Sequence, residues 1–273
     1  AGRAVVTPLL SSPFLDEAAG RPVHVKAECL QRTGSFKFRG AWSALSALPP
    51  EVRGVIACSS GNHAQGVALA ARMLGKTAVI VMPSDAPRPK RENTAHYGAE
   101  VVLYDRFGED RDALAARIAA ERDLHLVRPF DDADVIAGQG TCGLEIAAQA
   151  AAAGVTEGTV LSCCGGGGLT AGIALALEAK APGLTVRPVE PAGHDDAARS
   201  LAAGQILRNE APPPSICDAI LTPAPGRLTF PVMRRLCGPG LAVTDAEVGR
   251  AMAAAFSRLK LVLEPGGAVA LAA

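Results

Sequence analysis

Short apolar runs alternate along the chain with longer, alanine-rich amphipathic segments. Runs of this kind predict buried strands, whereas apolar residues that recur every three or four positions predict helices. The predicted strands are Val23–Ala27, Gly54–Cys58, Ala78–Met82, Glu100–Leu103, Thr159–Cys163 and Thr185–Val189. The predicted helices are Arg39–Leu48, Ala64–Leu74, Pro89–His96, Arg111–Arg122, Thr141–Ala153, Leu169–Ala179 and Val248–Leu259 (capped near Thr244 or Asp245). This alternation predicts an α/β fold with βαβ units, and strands that are apolar almost throughout predict parallel sheets covered on both faces.

Length, composition and charge narrow the class of protein. The 273 residues, 49% of them hydrophobic, can bury a large core, and a chain of this size forms one large domain or two lobes. Lys and Arg together number 27, as do Asp and Glu, so nucleic acid and anionic membranes are not expected partners. No apolar run approaches the roughly 18 residues of a membrane span, and no signal-peptide pattern opens the sequence. Seven cysteines without a C-x-x-C motif predict reduced thiols and a cytoplasmic protein.

Four consecutive glycines, Gly165, Gly166, Gly167 and Gly168, lie between an apolar run and a predicted helix that begins at Leu169. Glycine lets successive backbone N–H groups converge on one point, and the helix directs its positive end to the same place. The segment therefore predicts an anion site, with a simple tight turn as the alternative. Because no Lys-Ser or Lys-Thr follows, the site does not match a nucleoside-triphosphate loop. We expect the phosphate of another cofactor.

A lysine between two aromatic residues, Phe36-Lys37-Phe38, is the second feature. A phosphate-bearing cofactor together with such a lysine suggests pyridoxal phosphate, whose aldehyde forms a Schiff base with a lysine amine. Burial would lower the pKa of the amine and free it for nucleophilic and base chemistry. The alternative is a surface lysine on an amphipathic helix.

The third feature is the polar segment from Ser59 to Gln65, which follows a predicted strand and precedes a predicted helix. Its hydroxyls and N–H groups could bind an anion, here a substrate carboxylate. An ordinary helix N-cap is the alternative, although a cap needs only one such residue.

Together, these three segments resemble the pyridoxal-phosphate-dependent serine/threonine dehydratases and serine racemases of fold type II, the tryptophan-synthase β-like fold. The resemblance extends from Thr7 to Ala268. It implies two lobes, each a mainly parallel sheet flanked by helices, with residues 1–53 and 135–273 forming the large lobe and 54–134 the small one. It also implies a homodimer that acts on a small amino-acid substrate.

The resemblance assigns roles to individual residues. Lys37 would hold the cofactor and move the substrate Cα proton, and Phe36 would pack on the pyridine ring. Ser60 lines up with the serine that acts as the acid/base group on the opposite face in the racemases, so racemisation stays open. The carboxylate-binding loop would consist of Ser59, Ser60, Gly61, Asn62 and His63, with Asn62 also bonded to the ring hydroxyl, and the phosphate would be held by Gly165, Gly166, Gly167, Gly168 and Leu169.

A further match is the segment from Val189 to Asp196. In the racemase-like branch of the family, similar residues bind a divalent cation. The resemblance implies that Glu190 and Asp196 supply carboxylates and His194 a backbone carbonyl to Mg²⁺ or Ca²⁺, which prefer oxygen ligands. An acidic surface turn is the alternative.

The activity implied by the resemblance is that of an ammonia-lyase, which converts a β-hydroxy amino acid to a 2-oxo acid and ammonia. L-Threonine and L-serine are the expected substrates; serine racemisation and 3-hydroxyaspartate dehydration are the alternatives, the latter with Arg111 as a candidate for the second carboxylate. A non-catalytic pyridoxal-phosphate- or anion-binding protein is the alternative from another class. The family also places a Ser, Thr or Cys against the cofactor ring nitrogen near its C-terminus. Nothing after Glu264-Pro265 matches it, so we expect the last strand and helix to be missing from this sequence.

Overall fold

A computed structural model describes residues 2–273, which form nine strands and eleven α-helices. The strands are β1 (Leu9–Ser11), β2 (His24–Lys26), β3 (Gly54–Cys58), β4 (Thr77–Pro83), β5 (Glu100–Tyr104), β6 (His125–Leu126), β7 (Gly158–Cys163), β8 (Leu184–Pro191) and β9 (Leu241–Val243). The helices are α1 (Pro13–Ala19), α2 (Lys37–Ala47), α3 (Asn62–Met73), α4 (Arg88–His96), α5 (Arg111–Arg122), α6 (Ala133–Ala152), α7 (Gly168–Lys180), α8 (Asp196–Ala203), α9 (Thr229–Leu236), α10 (Asp245–Ala254) and α11 (Pro265–Ala272).

The chain divides into two compact units. The first comprises Ala1–Val5 with Gln31–Gly138, and the second comprises Val6–Leu30 with Gln139–Ala273. The lobe boundaries given above, at residues 54 and 134, stay a prediction. None of the helices between residues 2 and 273 is both long and apolar enough to cross a membrane.

The first unit is built on a four-stranded parallel sheet in the order β5-β4-β3-β6. Its register pairs Val55 with Ala78 and with His125, and Val79 with Glu100. The central strands β3 and β4 are buried over nearly their whole length, as their apolar sequences predict. The sheet therefore carries a polar loop directly after the buried strand β3.

The second unit contains a three-stranded parallel sheet in the order β7-β8-β9 and a separate antiparallel pair, β1-β2. The predicted strand Val23–Ala27 is confirmed as β2, but it belongs to this small antiparallel pair. At the start of α10 the N-cap is Thr244, which forms a capping box with Glu247. The α/β class with parallel sheets flanked by helices is confirmed.

Helix α6 begins at Ala133, eight residues before the predicted start at Thr141, and the added segment contains Gly138 and Gly140, although glycine has a low helix propensity. Each glycine instead marks a close helix contact. A Cβ on Gly138 would lie 2.5 Å from the carbonyl oxygen of Arg39 in α2. A Cβ on Gly143 would lie 2.8 Å from the Cβ of Ala176 in α7. Packing, which a local pattern does not contain, thus outweighs the low helix propensity of glycine.

Candidate active site

Lys37 is the first residue of α2 and directly follows Phe36. Its side chain is half-buried, and its Nζ donates a hydrogen bond to the carbonyl oxygen of Pro129 at 2.9 Å. The Nζ also lies 5.2 Å from the centroid of the Phe36 ring. The lysine amine thus lies beside the ring of Phe36, the residue that was predicted to pack on the cofactor ring.

A glycine in α3 lets this helix approach Lys37 closely. A Cβ on Gly66 would lie 3.1 Å from the carbonyl carbon of Lys37 and 3.2 Å from its oxygen. These contacts place the start of α2 against α3. The lysine therefore packs against the helix that directly follows the polar loop, within the first unit.

The polar loop Ser59–Gly61 connects β3 to α3 and is held by the backbone. Ser59 donates its N–H to the carbonyl oxygen of Val81 at 3.1 Å, and its Oγ accepts the N–H of Gly61 at 3.2 Å. Ser60 is exposed. The N-cap of α3 is Gly61, which has no side chain to cap the helix, and the start of a helix favours an anion through its N–H groups and its dipole.

His63 has a buried side chain whose Nε2 lies 3.1 Å from the carbonyl oxygen of Val127. Burial lowers the pKa of the imidazole to about 3, and the charge of Lys37 contributes to this lowering, so the ring is neutral. A carbonyl oxygen only accepts, so Nε2 carries the proton. Any contact of His63 with a substrate would therefore come from its backbone.

Lys90 of α4 lies against the same loop, a contact that no pattern along the chain predicted. Its Nζ is 3.5 Å from the position that a Cβ on Gly61 would take. Arg111, the candidate for a second substrate carboxylate, is exposed and hydrogen-bonded to Asp112, with Nε–Oδ1 and Nη2–Oδ2 distances of 2.9 and 3.2 Å, and its role stays a prediction. Lys90 therefore brings a positive charge to the loop that the sequence analysis did not anticipate.

In the second unit, the four glycines lie between β7 and α7. Gly167 is the N-cap of α7 and has φ +89°, a left-handed conformation that favours glycine. A Cβ there would lie 2.7 Å from Cε of Met233. A Cβ on Gly165 would lie 3.2 Å from the carbonyl oxygen of Ile220. Within residues 2–273 no side chain caps this 13-residue helix, so its N-terminus fits an anion.

The segment from Ile220 to Thr229 surrounds the glycine loop. Gly166 accepts two hydrogen bonds at its carbonyl oxygen, from the N–H of Gly226 at 3.1 Å and from Oγ1 of Thr229 at 2.6 Å. The Oγ1 of Thr222 is buried without a hydrogen-bond partner among residues 2–273. Sequence reasoning missed both threonines, because more than fifty residues separate them from the glycines.

Glu190 and Asp196 are neighbouring buried carboxylates in the second unit. The two Oε atoms of Glu190 accept the N–H groups of Ala197 and Ala198 at 2.9 and 2.8 Å. Burial, reinforced by the charge of Asp196, raises the pKa of Glu190 to about 8. Burial also raises the pKa of Asp196 to about 6. Asn209 donates its Nδ2–H to Oδ1 of Asp196 at 2.6 Å.

The carboxylates of Glu190 and Asp196 are the side-chain ligands of the predicted cation site. Oδ2 of Asp196 is buried and has no hydrogen-bond partner within the described residues. The Nε2 of His194 lies 2.7 Å from the carbonyl oxygen of Pro213, so its ring is engaged elsewhere. Across residues 2–273, no group of three or more His, Cys, Asp or Glu side chains is arranged to hold a metal ion. A cation here would thus need backbone and water oxygens besides the two carboxylates.

Comparison with known proteins gives consistent matches along the chain. Residues 3–273 match the family model described as "Pyridoxal-phosphate dependent enzyme". The chain is 43% identical to the L-threo-3-hydroxyaspartate ammonia-lyase of Pseudomonas sp, over 100% of this chain and 84% of that protein. It is 40% identical to the serine racemase of Oryza sativa subsp. indica, over 98% and 78%. The crystal structure of a T.th. threonine deaminase superposes with a TM-score of 0.93 at 48% identity, covering 99% of this chain and 87% of that one.

Proposed function

Because the chain belongs to the pyridoxal-phosphate dependent enzymes of fold type II, we propose that it is an ammonia-lyase for a β-hydroxy amino acid. L-Threonine and L-serine are the proposed substrates, with a 2-oxo acid and ammonia as products. The observation that carries the proposal is the packing of Lys37 against Gly66 of α3. This helix begins within the segment Ser59–His63, the predicted carboxylate-binding loop. The names of the relatives, two of them deaminating enzymes, support the same reaction class.

The residues present fit pyridoxal phosphate. The loop Gly165–Gly168 with Leu169 would hold its phosphate at the uncapped N-terminus of α7, where a Cβ on Gly167 would overlap Met233 and a Cβ on Gly165 would be in tight contact with the carbonyl oxygen of Ile220. Lys37 would bind its aldehyde carbon, Phe36 would pack on its ring and Asn62 would bond its ring hydroxyl. When bound, the cofactor supplies an electron sink for the electron pair left on Cα.

The proposed steps follow from the residues of the chain. The backbone N–H groups at the start of α3 and the hydroxyls of Ser59 and Ser60 bind the substrate carboxylate, which orients the Cα–H bond. Lys37 accepts the Cα proton, and such general-base help contributes about 10²–10⁴ in rate. The β-hydroxyl group takes up the proton that Lys37 accepted and leaves as water, and one water molecule is then consumed when hydrolysis releases ammonia and the 2-oxo acid.

One measurement tests the function directly. The visible spectrum of the purified protein is recorded with pyridoxal phosphate while L-threonine, L-serine and L-threo-3-hydroxyaspartate are added in turn, and 2-oxo acid is assayed in parallel. We expect a yellow band that changes with a hydroxy amino acid, together with oxo-acid formation. A stable band without product from any of them would instead support a non-catalytic binding protein.

Racemisation of serine is the second candidate, favoured by the exposed side chain of Ser60 in the loop. An acid/base group on the face opposite Lys37 is what inversion at Cα requires. Chiral chromatography of the serine left after partial turnover separates the two activities: D-serine in the parent but not in a Ser60→Ala variant would assign racemisation to this residue.

Dehydration of 3-hydroxyaspartate is favoured by Lys90, whose Nζ lies beside Gly61. A second substrate carboxylate near this ammonium would gain a charge-assisted hydrogen bond worth about 1.5–3 kcal/mol. We expect Lys90→Met to lower kcat/KM for L-threo-3-hydroxyaspartate about tenfold to a hundredfold, and for L-threonine much less. Steady-state kinetics on both substrates measure the difference.

Lys90→Arg is the matched variant, because it keeps the charge, and it should retain most of the preference. An equal loss on both substrates would contradict a contact with the second carboxylate. It would place Lys90 with the carboxylate that all these amino acids share.

A divalent cation at Glu190 and Asp196 is also proposed, supported by the buried Oδ2 of Asp196, which lacks a partner within residues 2–273. A cation at about a hundred times its Kd adds about 2.7 kcal/mol, or roughly 5–10 °C in Tm for a protein of this size. We expect EDTA to lower Tm by this amount and Mg²⁺ or Ca²⁺ to restore it. Asp196→Asn should remove the response, whereas Asp195→Asn, which alters the neighbouring carboxylate, should keep it.

A further inference from the structure

Thr222 has a buried hydroxyl near the glycine loop whose role the fold alone does not explain. Its Oγ1 has no hydrogen-bond partner among the described residues, 2–273. A buried hydroxyl without a hydrogen-bond partner destabilises the fold, so native proteins rarely keep one without a role. A bound molecule that accepts its proton would remove this cost.

The position of this hydroxyl is fixed relative to the loop. Oγ1 of Thr222 lies 3.3 Å from the place that a Cβ on Gly165 would take, so it borders the first glycine of the anion site. Asn209 holds the backbone that follows the side chain: its Nδ2 donates to the carbonyl oxygen of Thr222 at 3.3 Å, and its N–H donates to that of Pro223 at 2.9 Å. The hydroxyl is thus presented beside the loop by hydrogen bonds that do not involve the hydroxyl itself.

We infer that Thr222 is a phosphate-binding residue, whose hydroxyl donates a hydrogen bond to the cofactor phosphate held at Gly165–Gly168. A phosphate has more oxygen lone pairs than the backbone N–H groups of one loop can use. A hydrogen bond from a hydroxyl to a charged oxygen is also stronger than one to a neutral acceptor. The inference depends on the proposed cofactor and not on which amino acid is the substrate.

The test compares cofactor binding to apoprotein in the parent, Thr222→Val and Thr222→Ser. Valine is nearly isosteric and lacks the hydroxyl, whereas serine keeps it. We expect Thr222→Val to raise the Kd for pyridoxal phosphate about tenfold to a hundredfold, as measured by absorbance and fluorescence titration, and Thr222→Ser to stay near the parent. The Kd for pyridoxal, which has no phosphate, should be unchanged, and inorganic phosphate should compete less well in the valine variant.

Stability separates this role from a structural one. Because the hydroxyl is unpartnered among the described residues, apo Thr222→Val should unfold at or above the Tm of the apo parent, while the rise in Tm on adding the cofactor should shrink. Thr156→Val, at an exposed threonine of the same unit, serves as the surface control and should leave both values unchanged.

Two results would overturn the inference. Equal weakening of pyridoxal phosphate and pyridoxal in Thr222→Val is one. An unchanged Kd for pyridoxal phosphate is the other, and a raised KM for the amino acid in that case would direct the hydroxyl toward the substrate. Failure of the parent itself to bind pyridoxal phosphate would count against the proposed function, so the two failures are distinguishable.

Discussion

Replacing Lys37 by alanine is expected to abolish oxo-acid formation, with a loss of at least about 10³ in kcat. The variant removes the amine that would bind the cofactor and also the base that would take the Cα proton, and the base alone contributes about 10²–10⁴. The yellow band of the lysine-bound cofactor should disappear as well. Stopped assays of 2-oxo acid, with the visible spectrum of the same sample, measure both effects.

Lys180→Ala is the matched control, because Lys180 is an exposed lysine at the end of α7. It should retain the spectrum and turnover of the parent, since surface substitutions away from special features change stability by less than about 0.5 kcal/mol. Circular dichroism and thermal unfolding establish that both variants fold. Turnover by folded Lys37→Ala at the parental rate would refute the proposed role of the lysine.

Replacing Gly167 by alanine is expected to give the largest loss of cofactor affinity among single substitutions in the glycine loop. Its φ of +89° strains any residue that has a Cβ, which costs about 1–2 kcal/mol. The added methyl would also lie 2.7 Å from Cε and 2.9 Å from Sδ of buried Met233, and overpacking of this kind costs about 1–3 kcal/mol. Chemical unfolding should therefore show a loss of about 2–5 kcal/mol, and a titration should show the Kd for pyridoxal phosphate raised at least tenfold.

Gly154→Ala isolates the backbone part of this effect. Gly154 also has a positive φ, +74°, but no atom of the described residues lies within 4 Å of the position that an added methyl would take. This control should lose only about 1–2 kcal/mol of stability and keep the parental Kd for the cofactor. If Gly167→Ala behaved like the control in both respects, the packing of the loop against Met233 would have no part in binding.

The fold class and the two anion-type loops could be predicted because each depends on neighbours along the chain. A strand, a short polar or glycine-rich loop and a helix are contiguous in Gly54–Met73 and again in Gly158–Lys180. The resemblance to a known family then assigned roles to the residues of the two loops that follow these strands. The order of strand, loop and helix along the chain does not depend on how the elements pack, so the pattern of hydrophobic and polar residues is enough to predict it.

The contacts that complete the site could not be predicted, because they join distant segments. Lys90 reaches Gly61 from α4, and Thr222 reaches Gly165 from a loop more than fifty residues away. Nothing next to Gly66 in the sequence shows that the backbone of α2 packs directly against it. These contacts depend on how the elements pack, which neither periodicity nor residue type encodes at short range.

The two hydrogen bonds accepted by the carbonyl oxygen of Gly166 fix the plane of the peptide group that joins it to Gly167. In a planar trans peptide the N–H points opposite to the C=O, so the N–H of Gly167 is aimed before any anion arrives. The entropy of ordering this donor is lost during folding and not during binding. Capture of the phosphate should therefore be a fast, single-step association without a slow phase of loop ordering, and its rate would be governed by encounter.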